Sequence, residues 1–138
     1  MINVSKLAQE GVLQPKEALL SKDRKKGSLT IGIPKENTFQ ENRIALTPLS
    51  VGLLVENGHE IIIETGAGDA SNFQDHHYSE QVARIVYDKK EVYKADLIIK
   101  ISSPTLKEVE LMKNRQVLFS SQQPSLMKIE VLKALMKK

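Results

Sequence analysis

The stretch IIIETGAGDAS, Ile61 to Ser71, joins an apolar run of three isoleucines to a turn that contains two glycines. A continuous apolar run of this kind is typical of a parallel strand that helices cover on both faces. The runs LIIKI and VLFS further along the chain have the same character. The stretch therefore predicts a buried strand of a parallel sheet, ending at a glycine turn.

Before and after this strand, the chain alternates strand patterns with helix patterns. We predict strands at 28–33, 59–65, 84–88, 95–102 and 116–121, with helices between them and a last helix from Pro124. Thr47 and Pro48 are typical of a helix N-cap and first helical position. Such alternation implies parallel strands joined by right-handed crossovers. We predict an α/β fold: a flavodoxin-like, doubly wound parallel sheet of about five strands with helices on both faces.

Residues 1–28 are predicted to form a helical N-terminal arm, separate from a domain at 29–138. One short helix would end at Gly11, and a second would run from Pro15 to Gly27. A proline at the first helical position and a glycine just past the end are typical helix boundaries.

Composition excludes several classes of function. The chain has 138 residues, about one domain. Without cysteine it has no disulfide, thiolate metal site or cysteine nucleophile, and it suits the cytoplasm. Its apolar runs are too short to span a membrane, and a scattered net charge of +3 disfavours nucleic-acid binding. Asp75, His76 and His77 are adjacent and project to different sides, so we predict no metal site there.

The glycine turn after Ile63 allows two interpretations. A dinucleotide-binding fingerprint needs three glycines that open a helix directly, with an acidic residue about twenty positions on. Here Ser71 stands in place of the third glycine, and Asp88 lies near the required distance. The alternative is a tight turn in which glycines supply positive φ angles, and the pattern favours this turn.

Arg43 is the first candidate for ligand binding. It lies in IGIPKENTFQENRIALTP (31–48), between the first strand and the first helix of the domain. Ligands of doubly wound sheets bind beyond the carboxyl ends of the strands, and an arginine there suits a bidentate grip on a carboxylate. The alternative is a surface arginine paired with Glu36 or Glu41, and spacing alone does not separate the two.

The runs GIPKE, ENRIALTP, VENGHEIIIETGAG and ADLIIKI, in this order over about residues 29–138, closely resemble the N-terminal domain of alanine dehydrogenases. The alpha subunits of proton-translocating NAD(P) transhydrogenases share the pattern. The resemblance implies a substrate-side domain, followed in a longer protein by a Rossmann domain that binds NAD and is absent from this chain. It also implies that the TGAG turn is not the nucleotide site, and that this chain alone is inactive.

In alanine dehydrogenases, L-alanine, NAD and water give pyruvate, ammonia and NADH, and the resemblance places the arginine that grips the substrate carboxylate at Arg43. It places the family's lysine at Ser102 and its histidine at Gln123. A serine cannot hold positive charge, and a glutamine cannot act as an acid or base near neutral pH. We therefore predict that Lys100, two residues earlier on the same strand face, binds substrate instead. The alternative is a structural lysine at a strand end.

Two further functions remain open. The chain resembles transhydrogenase alpha subunits as well, and those need neither the lysine nor the histidine. A non-catalytic binding or assembly module is the other alternative, because the last helix carries an apolar stripe at Leu126, Ile129, Leu132, Leu135 and Met136. Such a stripe is most often the core face of a helix. For the complete protein the resemblance implies a small substrate, alanine or pyruvate, and a homo-oligomer, with no nucleic acid and no membrane contact by this domain.

Overall fold

The computed structural model describes residues 27–37, 39–121 and 124–138. One sheet of five parallel strands dominates it. The strands are β1 Thr30–Ile33, β2 Glu60–Glu64, β3 Arg84–Val86, β4 Leu97–Ile99 and β5 Val117–Phe119. The α-helices are α1 Pro48–Glu56, α2 Asp75–Ser79, α3 Lys89–Val92, α4 Leu106–Leu111 and α5 Ile129–Leu135. The predicted five-stranded α/β sheet is confirmed, whereas the predicted arm helices lie outside the described residues.

The strand order corrects the flavodoxin-like prediction. The order is β3-β2-β1-β4-β5, whereas a flavodoxin-like sheet has the order 2-1-3-4-5, with its third strand in the centre. A central strand is buried on both faces, but β3 is short and its Arg84 is exposed, so it suits an edge. The chain therefore moves outward over three strands before returning past β1. The topological switch point lies between β1 and β4.

Two apolar cores lie on opposite faces of the sheet, as a doubly wound sheet requires. On one face, Ile31 and Ile61 pack with Val51 of α1 and with Tyr78 of α2. On the other face, Ile98 packs with residues of the α3 and α4 region, among them Val92, Tyr93 and Met112. The predicted N-cap of α1 is confirmed, because the Thr47 hydroxyl accepts a hydrogen bond from the amide of Ser50 at 3.3 Å.

The last predicted helix is interrupted. Pro124–Leu126 forms a 3-10 turn, Lys128 is extended, and α5 begins only at Ile129. As a result Val131 and Leu135 face the core, whereas Leu126, Ile129 and Met136 are exposed. The interpretation of the whole stripe as a core face was therefore wrong. None of the helices within the described ranges is long and apolar enough to cross a membrane.

Gly32 in β1 lets α3 pack directly on the sheet. A Cβ at this position would lie 2.5 Å from the carbonyl oxygen of Val92 and 2.9 Å from a methyl group of Ile98. Gly52 in α1 differs, because a Cβ there would meet only the flexible side-chain end of Gln81.

We expect Gly32→Ala to lower the free energy of unfolding by about 2 kcal/mol, since the backbone of α3 must shift. Gly52→Ala is the matched control. The Gln81 side chain can move away and alanine favours the helix by about 1 kcal/mol, so stability should be unchanged or higher. Urea unfolding of both variants measures this, and an equal loss in both would contradict the interpretation.

Candidate functional site

The carboxyl ends of β1 and β4 meet at the switch point, and the side chain of Glu36 lies between them. One carboxylate oxygen accepts a hydrogen bond from the amide of Ile101, and the other accepts from the amide of Ser102 at 3.3 Å. Glu36 thus joins the loop after β1 to the loop after β4. In doubly wound sheets this is the place where ligands bind.

Lys100 is buried beside Glu36. The ammonium Nζ lies 3.5 Å from Oε2 of Glu36 and 3.2 Å from Oε2 of Glu108, and the residue is only 3% exposed. The strand ends at Ile99, and the chain bends at Ile101 and Ser102 instead of continuing as a strand to 102. Lys100 and Ser102 therefore meet at Glu36 through a bend, not through strand alternation.

Glu108 extends the cluster toward α3. Its Oε1 accepts from Nζ of Lys89 at 2.9 Å, and Lys89 also lies 3.5 Å from Oε2 of Glu64. Glu108 completes a capping box at the start of α4, where Thr105 is the N-cap and its amide donates to Oε2 at 2.8 Å. We call these three carboxylates and two ammoniums the ion cluster: Glu36, Glu64, Lys89, Lys100 and Glu108.

The surroundings of Glu108 keep it ionised. Burial raises the pKa of its carboxyl, but the Thr105 amide and the charges of Lys100 and Lys89 outweigh burial, and the pKa is lowered overall. Tyr93 packs nearby. Burial, together with the negative charges of the three glutamates, raises the pKa of its phenol.

Arg43 lies outside the ion cluster. Its Nε and Nη2 donate to the two carboxylate oxygens of Glu41, each at 2.8 Å. The Glu41 side chain is 14% exposed and that of Arg43 is 72% exposed, so the guanidinium projects outward. The hydrogen bonds from Arg43 lower the pKa of Glu41 to about 2. The predicted alternative of a surface pair between Arg43 and Glu41 is therefore present. The exposed guanidinium still has N–H donors that Glu41 does not occupy, and these can bind a ligand.

A small cavity of about 120 Å³ lies beside Arg43. Residues from the loop after β1 and from the turn after β2 line it: Lys35, Glu36, Glu41, Asn42, Arg43, Gly66, Ala67, Asp69 and Ala70. The structure thus brings Arg43 and the TGAG turn together. Lys100 does not line this cavity, and Gln123 lies outside the described residues.

The TGAG turn has the geometry of a tight turn. Gly66 has φ 68°, and Asp75 holds the turn through hydrogen bonds from the Thr65 hydroxyl at 2.6 Å and the Gly66 amide at 2.8 Å. The segment that follows, Asp69–Ser71, is a single 3-10 turn. A dinucleotide fingerprint needs a long helix whose N-terminus faces the pyrophosphate, so this turn does not fit NAD.

Sequence reasoning missed the ion cluster. Glu36 and Lys100 are far apart in the chain, and their partnership follows from the strand order, which was predicted wrongly. One signal was visible: Thr105 and Glu108 have the spacing of a capping box, three residues apart before an apolar helix.

We expect Lys100→Met to lower the free energy of unfolding by about 3 kcal/mol or more, because buried Glu36 loses its ammonium partner and Glu108 keeps only Lys89. The matched control is Arg84→Met, which removes a surface pair with Glu91 whose side chains are 54% and 44% exposed. An exposed pair contributes less than about 1 kcal/mol. Urea unfolding of both variants tests this, and equal small losses would contradict burial of the Lys100 charge.

The lowered pKa of Glu108 predicts acid sensitivity. A carboxyl whose pKa is lower in the folded than in the unfolded protein adds stability above its unfolded pKa, about 4.3. That contribution is lost as pH falls through the folded value. The free energy of unfolding should therefore fall as the pH drops below about 5, and the fall should be smaller in Glu108→Gln. Urea unfolding at several pH values measures it, and identical slopes would refute the role of Glu108.

Comparison with known proteins agrees with this architecture. The family described as "Alanine dehydrogenase/PNT, N-terminal domain" matches residues 32–138. Alanine dehydrogenase of Bacillus subtilis (strain 168) is 40% identical over 92 residues, 67% of this chain and 24% of that protein. Alanine dehydrogenase 2 of Staphylococcus aureus (strain USA300) is 41% identical over 92 residues, 67% of this chain and 25% of that protein. The chain thus spans about a quarter of the length of these relatives.

Two solved structures have the same fold. An L-alanine dehydrogenase superimposes with a TM-score of 0.74 at 36% identity, over 78% of this chain and 30% of that one. A transhydrogenase from Sinorhizobium meliloti superimposes with a TM-score of 0.71 at 27% identity, over 77% of this chain and 31% of that one. The chain belongs to the family of alanine dehydrogenase and transhydrogenase N-terminal domains.

Proposed function

We propose that this chain is the substrate-side domain of an NAD-dependent alanine dehydrogenase. In this proposal residues 29–138 form the substrate side of a cleft, residues 1–28 are an N-terminal arm, and a downstream Rossmann domain binds NAD. The observation that carries it is the exposed guanidinium of Arg43, which lines a small cavity at the carboxyl edge of the sheet. We infer that the complete protein is a cytoplasmic homo-oligomer and that this chain alone is inactive.

The role we infer for Arg43 is to hold the carboxylate of alanine or pyruvate. Glu41 occupies the Nε and Nη2 side of the guanidinium, so Nη1 and the second hydrogen of Nη2 remain for the substrate. Glu41 thereby fixes the plane of the guanidinium, and a fixed plane orients the bound carboxylate. NAD, when bound downstream, supplies the hydride acceptor, and this chain supplies binding and orientation.

The role of Lys100 stays a prediction, and its contacts support the structural alternative. The ammonium is enclosed by two carboxylates, and moving it toward a substrate would remove the ammonium beside buried Glu36 and leave Glu108 paired with Lys89 alone. We propose that Lys100 is a positioning residue for the loops after β1 and β4. Substrate contact by Lys100 would appear as a raised KM for pyruvate in a Lys100→Arg variant of unchanged stability.

The transhydrogenase branch is the second candidate. The observation that favours it is Ser102, at the family lysine position: the residue is 5% exposed, and its amide is bound to Glu36. A serine there offers the substrate no charge. In that branch the complete protein would bind NAD(H) and exchange hydride with NADP on a partner subunit, without oxidising alanine.

We expect Arg43→Ala to lower kcat/KM for pyruvate by about a hundredfold in the full-length protein, since a charge-assisted bidentate contact is lost. Pyruvate, ammonium and NADH are the substrates, and loss of NADH absorbance is the measurement. Arg84→Ala is the matched control, because Arg84 is an exposed arginine at the far edge of the sheet.

Activity in the wild type that Arg43→Ala leaves unchanged would refute the role of Arg43. No turnover by the wild type, with NADH still bound, would refute the alanine dehydrogenase proposal and favour the transhydrogenase branch.

A further inference from the structure

The charged groups around the cavity beside Arg43 are not all neutralised. Glu36 is held by Lys100 and by two loop amides, and Glu41 is held by Arg43. The side chains of Lys35 and Asp69, two more residues that line the cavity, end beside Gly66. Neither makes a hydrogen bond or an ion pair with another side chain in the part of the chain that the structure describes.

The backbone of Lys35 is fixed by the ion cluster. Its amide donates to Oε2 of Glu64 at 2.8 Å, and its carbonyl oxygen accepts from Nζ of Lys89 at 3.1 Å. The side chain extends away from this anchor and is exposed. A lysine with a fixed backbone and a free ammonium loses less freedom on binding a ligand than one on a loose loop.

Gly66 allows the Lys35 ammonium to lie against the turn. Nζ of Lys35 lies 3.1 Å, and Oδ2 of Asp69 lies 2.9 Å, from the point where a Cβ on Gly66 would sit. The two charges therefore lie close together, yet they form no direct ion pair.

We propose that Lys35 is a second substrate-binding cation, which contacts an oxygen of a small 2-oxo acid whose carboxylate Arg43 holds. This inference rests on the proposed function and names a further residue of the same site. The cavity volume of about 120 Å³ corresponds to about four water molecules, so it selects a short acid. An ammonium is a compact donor that can turn toward a carbonyl or a carboxylate oxygen.

Lys35 is a better candidate for this contact than Lys100. Lys100 is 3% exposed and lies between two carboxylates. Lys35, in contrast, is exposed and lines the cavity, and no carboxylate of the described residues is in direct contact with its ammonium. Binding through Lys35 leaves the ion cluster intact, because only the backbone of Lys35 contacts it.

Steady-state kinetics of the full-length protein test the inference. We expect Lys35→Met to raise KM for pyruvate about tenfold, with KM for NADH unchanged, and Lys35→Arg to restore at least half of that loss on a logarithmic scale. Lys90→Met is the matched control, since Lys90 is an exposed lysine of α3 that does not line the cavity. A KM for pyruvate within about twofold of wild type in Lys35→Met overturns the inference, whatever happens to kcat.

Calorimetric titration of the full-length protein with pyruvate separates this inference from the proposed function. If the wild type shows no turnover but binds pyruvate, and Lys35→Met weakens that binding about tenfold, the proposed function fails and Lys35 remains a binding residue. If the wild type is active and Lys35→Met binds pyruvate as tightly as wild type, only the role of Lys35 fails. If the wild type neither turns over nor binds pyruvate, both are overturned.

Discussion

The pairing of Lys100 with Glu36 and Glu108 is the interaction on which the carboxyl edge of the sheet depends. These buried charges come from three places: the loop after β1, the end of β4 and the start of α4. Lys89 and Glu64 add α3 and the end of β2. Buried charges are tolerated only when each has partners of the right geometry, so the elements cannot shift independently. Five elements are thereby fixed around one switch point.

The ion cluster also holds the loop that carries the exposed side chains of Arg43 and Lys35. Arg43 and Lys35 lie on the loop after β1. Glu36 anchors this loop through two amides of the loop after β4, and Glu64 anchors it through the Lys35 amide. Their side-chain ends, in contrast, are exposed. When charged groups lie on a backbone that is already fixed, little binding energy is lost in ordering them around a ligand. The ion cluster thus has a structural role, and the exposed cations are the groups that we propose contact a ligand.

Local chemistry explains which features the sequence could predict. The Thr47 cap, the buried strand IIIE and the glycine turn depend on neighbouring residues, and each is present in the structure. The strand order depends on where each crossover places the next strand, which alternation does not specify. The exposed Arg84 in β3 was the signal for an edge strand. The cluster of Glu36 with Lys100 follows from that order. Arg43 and Glu41 are only two residues apart, so the sequence could predict their pairing as one of two alternatives.

Ser102 contributes no positive charge to the carboxyl edge of the sheet. Its backbone amide donates a hydrogen bond to Glu36, and Lys100 contacts the same carboxylate. A residue that is 5% exposed and bound through its backbone offers little to a ligand. The cation nearest in sequence, Lys100, is held by buried carboxylates, and withdrawing it would cost several kcal/mol. The anion recognition that we propose for this domain therefore relies on cations at the cavity rim, which are Arg43 and Lys35 among the described residues that line it.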